Sequence, residues 1–198
     1  MAGKFLELAF TPGVLAAQKK YFGRAQSLPP QPERDTLTED EMQFIQSRDS
    51  FYLATVSETG WPYMQHRGGP PGFLHAVSPT QLAFADFKGN RQLLSTGNLA
   101  INDRVCLFLM DYPHRARLKI LGHAKVVAAR EHPELVARFA GPETQGIVER
   151  IFLIDVISYD WNCPKYITPR YTIAEVEEAV APLRARIAEL EAQLKEPK

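Results

Sequence analysis

Between residues 50 and 161 the chain keeps alternating between short apolar runs and tight polar turns. "FYLATVS" and "WPYMQHR" flank the turn "SETG", and "FLHAVS" and "QLAFADF" flank a second turn at Ser78 to Thr80. "RVCLFLMDY", "RLKILGHAKVVAA" and "RIFLIDVISYDW" follow as near-continuous apolar runs. Six or seven strands rich in β-branched and aromatic residues, joined mostly by short turns, predict an antiparallel sheet closed or nearly closed into a barrel. The fold class expected is mainly β with α (α+β).

Helices are expected around and inside this barrel. Thr11 and Pro12 suit an N-cap and first-turn pair, with Gly23 as the stop of "GVLAAQKKYFG". The proline-rich "SLPPQPERD", 27 to 35, connects this arm to the body and lays it across the barrel. Thr38 to Glu41 fits a capping box opening a helix to about Arg48, with Met42 and Ile45 on one side. Two helical inserts interrupt the strands. One starts near Asn90 in "GNRQLLSTGNLA"; the other is "EHPELVARFAG", with Pro133 in its first turn and Gly141 as its C-cap. Ile173, Val176, Val180, Leu183, Ile187, Leu190 and Leu194 then form a heptad seam of three repeats, with Pro182 on the outward side predicting a kink or restart. That helix either packs on its own barrel or meets a partner helix in a homodimer. The division expected is 1–36 as an arm, 37–170 as the barrel domain and 171–198 as the heptad helix.

Composition excludes several classes. The 23 basic and 23 acidic residues cancel, so no global field favours nucleic acid or a membrane surface, and a bound anion needs a local cluster. Cys106 and Cys163 stand alone, without CxxC spacing, against a disulfide framework or structural zinc site. "MAGKFLELAF" carries Glu7 within its apolar run and no cleavage-like pattern, and no stretch approaches the roughly 20 apolar residues of a span. A soluble cytoplasmic protein is expected.

No GxGxxG after a strand, GxxxxGK[ST], HExxH or GxSxG occurs, so chemistry here points to a bound cofactor. In "AFADFKGNRQLL" a strand ends at Asp86, a glycine turn follows, and Lys88 and Arg91 stand at the mouth of a helix. Free amides, the helix dipole and two cations describe a phosphate cradle. Arg67 can reach the same rim from the neighbouring hairpin. Arg115, Arg117 and Lys119 alternate along one strand face. None of the five histidines makes a metal pair at i, i+3 or i+4; His66 stands out because it precedes "GGPPG". Trp161 and Asn162, before Pro164, suit a wall against a planar ligand, whereas Cys163 has no base beside it.

Taken in order, "GWPYMQHRGGPPGF", "LAFADFKGNRQ", "NDRVCLFLMDYPHRARLKILGHAKV" and "DWNCPKYI" resemble the pyridoxamine 5'-phosphate oxidase-like family of flavin-binding split barrels. More narrowly they resemble its FMN-binding branch with a near-identical QHRGGPPGF run. The resemblance covers roughly residues 40 to 167. It implies a homodimer of split β-barrels with FMN in a groove between subunits. Gln65, His66, Arg67 and Gly68 would line the flavin, Ala85 and Asp86 would flank it, and Asn90, Arg91 and Gln92 would take the phosphate. Arg117 matches a position reaching the isoalloxazine from the second subunit, and Trp161 an aromatic near the ring. The oxidase has Lys where Gln92 stands, so Arg67 or Lys88 would supply the missing charge. Its substrate-binding carboxyl-terminal segment has no counterpart, so pyridoxamine phosphate is not carried over as substrate.

The function implied is an FMN-dependent oxidoreductase passing hydride or electrons between a reduced donor and a small organic acceptor. Glycines of "GGPPG" would let the backbone approach the ring, and Arg117 would stabilise reduced, anionic flavin. A flavin carrier or redox sensor without turnover, haem binding, and a deazaflavin in place of FMN are the alternatives.

Overall fold

The structure, a computed structural model, describes residues 3–161 and 164–195. Among them one antiparallel sheet has seven strands: β1 (Ser50–Val56), β2 (Pro62–Gly68), β3 (His75–Ser78), β4 (Gln81–Phe87), β5 (Arg104–Asp111), β6 (Ala116–Ala128) and β7 (Val148–Trp161). Their order is β2-β1-β5-β6-β7-β4-β3. Although β2 lies at one edge and β4 beside the other, Arg67 on β2 touches Asp86 on β4 at 2.5 Å. The sheet therefore curls until its ends nearly meet, leaving a split bridged by side chains. This is a split β-barrel.

Period-two burial builds the interior. Phe51, Leu53 and Thr55 of β1, Val105, Leu107 and Leu109 of β5, and Leu118 and Ile120 of β6 all turn inward. Phe73 stacks on Phe51 at 5.5 Å, Phe51 meets Phe84 edge-on at 5.3 Å, and Phe84 stacks on Phe152 at 4.7 Å. Burying each such ring contributes roughly 1.5–3 kcal/mol, so this ladder dominates the core beneath the split.

Among the described residues there are six α-helices: α1 (Gly3–Ala9), α2 (Pro12–Phe22), α3 (Glu39–Gln46), α4 (Leu94–Ile101), α5 (Pro133–Phe139) and α6 (Ile173–Lys195). The caps of α2 form as expected, with the Val14 amide donating to Thr11 Oγ1 and Gly23 left-handed at φ 76°. The Glu41 carboxylate accepts from the Thr38 amide and hydroxyl, completing the start of α3. The arm does lie on the barrel: Phe5 of α1 is buried under the Lys119 ammonium, and Asp35 accepts from the Ser158 hydroxyl at 2.8 Å.

Three expectations are corrected. The first insert helix begins at Leu94, not near Asn90, because Arg91 (φ 60°) and Leu93 (φ 57°) are left-handed and hold residues 88–93 as a loop. Gly141 does not cap α5; Ala140 takes the C-cap position in extended conformation. Helix α6 continues through Pro182 without a restart. Along its seam all but the half-buried Val180 are exposed, so it does not pack on its own barrel.

Candidate functional site

The split between β2 and β4 opens into a cleft of about 180 Å³. Successive residues of β2 alternate faces, so Tyr63, Gln65 and Arg67 all turn toward this cleft. Asp86 and Phe87 reach it from β4, Asn90, Arg91 and Gln92 from the following loop, and Ser95 and Thr96 from the first turn of α4. The helix is docked by two hydrogen bonds to the sheet: Ser95 Oγ donates to Gln65 at 3.0 Å and Asn98 donates to Thr55 at 2.9 Å. They hold the loop over the split.

Charge at the cleft is lopsided. Asp86, buried at the rim, accepts from Arg67 through one oxygen and from Arg150 Nε at 2.8 Å through the other. Arg91 stands exposed across the same cleft. Three guanidiniums thus line it against one carboxylate, although Glu149 also pairs with Arg150 at 3.0 Å. Arg67 Nε is buried without a partner. Helix α4 starts with Leu93 at its N-cap, which offers no side-chain acceptor. Its first amides, at the positive end of the helix dipole, therefore face the cleft uncapped. Surplus cations, an orphaned donor and uncapped amides fit a phosphate.

A second cleft of about 180 Å³ continues on the other side of Arg67 and Asp86, lined by His66, Gly68, Phe84 and Ala85. Ala85 is otherwise packed with Phe139 and Ile151 in a small satellite core. The structure thus brings together Gln65, Arg67, Asp86, Asn90, Arg91 and Gln92, with His66, Gly68 and Ala85 next to them. His66 meets the Tyr52 ring edge-on at 5.6 Å.

The glycine-rich stretch builds its own loop. Pro70 C=O accepts from the Phe73 amide at 3.0 Å, with Pro71 and Gly72 (φ 86°) at the centre. That is a type II turn, which needs the left-handed glycine. A Cβ on Gly69 would lie 2.6 Å from the Phe73 ring. Both glycines serve the loop's own fold, which seats Phe73 in the aromatic ladder.

Three other residues stand apart from the clefts. Lys88 lines neither, whereas Arg67 and Arg150 both line the first. Trp161 donates from Nε1 to Glu41 at 2.7 Å and meets Phe44 edge-on at 4.7 Å, a packing role within this chain. Arg117 lies half-buried on β6 beside Phe108, its Nε buried and unpartnered. Arg115 is in the turn before β6, so only Arg117 and Lys119 of the alternating cations lie on the strand, and Lys119 pairs with Asp160 at 3.3 Å. Asn162 and Cys163 lie outside the described residues.

The remaining histidines have structural or surface partners. His75 faces the Phe139 carbonyl, and burial, with Arg138 adding to it, holds its pKa below the usual value. His114, His123 and His132 pair with Asp111, Asp103 and Glu134. Among the described residues no cluster of three metal-ligating side chains occurs, and no helix is long and apolar enough to cross a membrane. Burial raises the Cys106 thiol pKa.

Sequence reasoning missed Tyr63, Ser95, Thr96 and Arg150. For Arg150 a signal existed: it is the direct cross-strand partner of Asp86 in the β4–β7 ladder. Aligning those two strands would have set the opposite charges side by side.

Several solved structures are similar to this chain. A candidate pyridoxamine 5'-phosphate oxidase from Lactobacillus delbrueckii is 18% identical, covering 63% of this chain and 93% of its own, with a TM-score of 0.50. HupZ from Group A Streptococcus is 13% identical over 68% of this chain and 100% of its own, at 0.48. General Stress Protein 26 from Bacillus anthracis is 14% identical over 62% and 91%, at 0.48. No curated protein matches the chain. The family description "Pyridoxamine 5'-phosphate oxidase" matches residues 37–150, more than half of the sequence and the whole split with its lining side chains. By that match the chain belongs to the pyridoxamine 5'-phosphate oxidase family.

Proposed function

We propose that the chain binds FMN along the split between β2 and β4 and works as an FMN-dependent oxidoreductase between a reduced donor and a small organic acceptor, as a cytoplasmic homodimer. The observation that carries the reading is the surplus of positive charge at one cleft: Arg67, Arg91 and Arg150 around Asp86, beside the uncapped start of α4. Arg91 and the α4 amides take the phosphate, and Arg67 moves part of its hydrogen bonding from Asp86 to the bound anion. Gln65, fixed by Ser95, and the backbone at His66 and Gly68 line the way to the second cleft.

FMN when bound supplies the two-electron redox chemistry that the side chains themselves lack. Each cleft, at about 180 Å³, is smaller than the roughly 300–1,000 Å³ of a typical ligand pocket, which favours a site completed by a second chain. The outward face of β1 and β2 exposes Tyr52 and Met64, and the turn between the strands exposes Trp61, an apolar surface suited to such a partner. Arg117, with its unpartnered Nε, is the donor that the partner's copy would extend toward the ring. There it would stabilise negative charge developing on reduction.

The test is the visible spectrum of the purified protein, with chromatography of what denaturation releases. A two-banded yellow spectrum and released FMN are expected. Arg91→Glu should weaken FMN binding by roughly 100-fold, as expected for replacing a charge-assisted contact by repulsion, with the circular dichroism unchanged. Full FMN occupancy in that variant would overturn the phosphate assignment. Oxidation of reduced nicotinamide separates an enzyme from a carrier without turnover.

A further inference from the structure

Helix α6 leaves most of its apolar face uncovered by its own chain. Ile173, Val176, Leu183, Ile187, Leu190 and Leu194 are all exposed at spacings of three and four. Its root, however, is fixed. The Arg170 guanidinium lies over the Tyr112 ring at 4.8 Å, and the Glu175 carboxylate accepts from the Thr172 amide and hydroxyl at 2.7 and 2.8 Å. An apolar rod is thus held out from the barrel in a defined place.

We propose that α6 pairs with α6 of a second copy of this chain as a parallel, in-register, two-stranded coiled coil. Two observations select this occupant. First, with Ile173 at a, the a positions 173, 180, 187 and 194 are Ile, Val, Ile and Leu and the d positions 176, 183 and 190 are Val, Leu and Leu, so the central layers carry β-branched residues at a and leucine at d. β-branched a with leucine d is the combination that favours parallel dimers. Pro182 falls at c, away from the seam. Secondly, the flanking charges suit that direction: in a parallel pair Arg186 at g faces Glu191 at e of the other helix, an attractive contact. Within one chain Arg186 rests on Glu189 at 2.8 Å, an exposed contact that is easily exchanged.

Three heptads are short for an autonomous coiled coil. The pairing therefore rests, for its strength, on the two-chain reading of the cofactor site: two barrels already in contact raise the effective concentration of one helix for the other. A parallel pair places the two-fold axis along the coil, which one closed dimer can share with its barrels.

The test uses the full chain with Cys106→Ser and Cys163→Ser, adding Leu190→Cys at a d position or Ala185→Cys at the outward f position. In glutathione redox buffer Leu190→Cys should form disulfide-linked dimer roughly tenfold faster than Ala185→Cys, as the proximity of in-register d residues requires. Glu191→Arg should slow it, and adding Arg186→Glu should restore the rate. Equal slow cross-linking at both positions overturns the pairing, and failure of the charge swap to restore the rate overturns the parallel register. FMN content of the same samples separates the two readings. Slow cross-linking with FMN retained sinks the coiled coil alone, and fast cross-linking without FMN sinks the cofactor reading alone.

Discussion

Glu41 and Asp86 are both carboxylates buried among strong donors, and they end differently. At the α3 corner Glu41 is saturated: Trp161 donates to one oxygen, the Thr38 amide and hydroxyl to the other. Burial pushes its pKa up, but these hydrogen bonds together outweigh burial and hold it below the usual glutamate value. At the split, Asp86 is shared by Arg67 and Arg150, Arg91 faces the same space, and Arg67 Nε has no acceptor. The first arrangement is closed and leaves nothing for a ligand. The second has more donors than the protein can use, and such a surplus marks a binding site better than burial or charge alone.

Removing each carboxylate should separate the two. Asp86→Asn strips two largely buried guanidiniums of their shared counter-ion, and breaking such a pair costs about 3 kcal/mol. The variant without cofactor should melt well below the parent, and added FMN or inorganic phosphate should recover part of the loss, because the anion replaces the carboxylate. A thermal shift that neither anion moves would mean that Arg67 and Arg150 are a structural pair and that the contrast with Glu41 is false.

The contrast also explains what could be read in advance. The strands were legible because alternate residues such as Phe51, Leu53 and Thr55 face the core, and period two survives any loop error. Arg67, Asp86 and Arg91 were legible as a group because consecutive hairpins bring their ends to one rim. The loop itself was not. Left-handed Arg91 and Leu93 occupy a conformation that sequence assigns to glycine, so α4 seemed to start four residues early. Arg150 was hidden because its partner lies 64 positions away. Helix α1, only seven residues long and without a capping residue that sequence would flag, went unnoticed. The hydrogen bond of Trp161 was hidden too, because its partner lies 120 positions upstream.

Gly69→Ala tests the loop between the two regions. Its new Cβ would meet the Phe73 ring at 2.6 Å, and overpacking of this kind costs roughly 1–3 kcal/mol. Since Phe73 and Arg67 both rest on the aromatic ladder, FMN affinity should fall with stability, and Phe73→Leu, which makes room beside Gly69, should recover part of both. If Gly69→Ala instead loses FMN at unchanged stability, the glycine does serve close approach to the ring.

Trp161→Phe removes one hydrogen bond to Glu41 while keeping most of the contact with Phe44. A loss of roughly 1–2 kcal/mol in urea unfolding is expected, with FMN affinity within about twofold of the parent. A large drop in affinity at small stability cost would place Trp161 at the ligand after all, through the assembled dimer.

The smallest effect concerns acid. Because the folded pKa of Glu41 is depressed, its contribution to stability is present above the ordinary glutamate range and is lost as pH falls from that range through the lower folded value. Asp111 behaves alike: burial raises its pKa, but bonds from His114 and the Arg48 charge lower it further. Asp111 pairs with Arg48 at 2.9 Å at the base of β5. His75 adds a separate limb, since its lowered pKa means the folded state resists protonation and stability falls as pH drops below the ordinary histidine range. Glu41→Gln should therefore flatten only the most acidic part of the stability profile measured by urea unfolding, and His75→Gln only the part above it. If Glu41→Gln also changed the pH dependence of FMN binding, the closed corner would be coupled to the open cleft, and the separation of the two regions would fail at its most sensitive point.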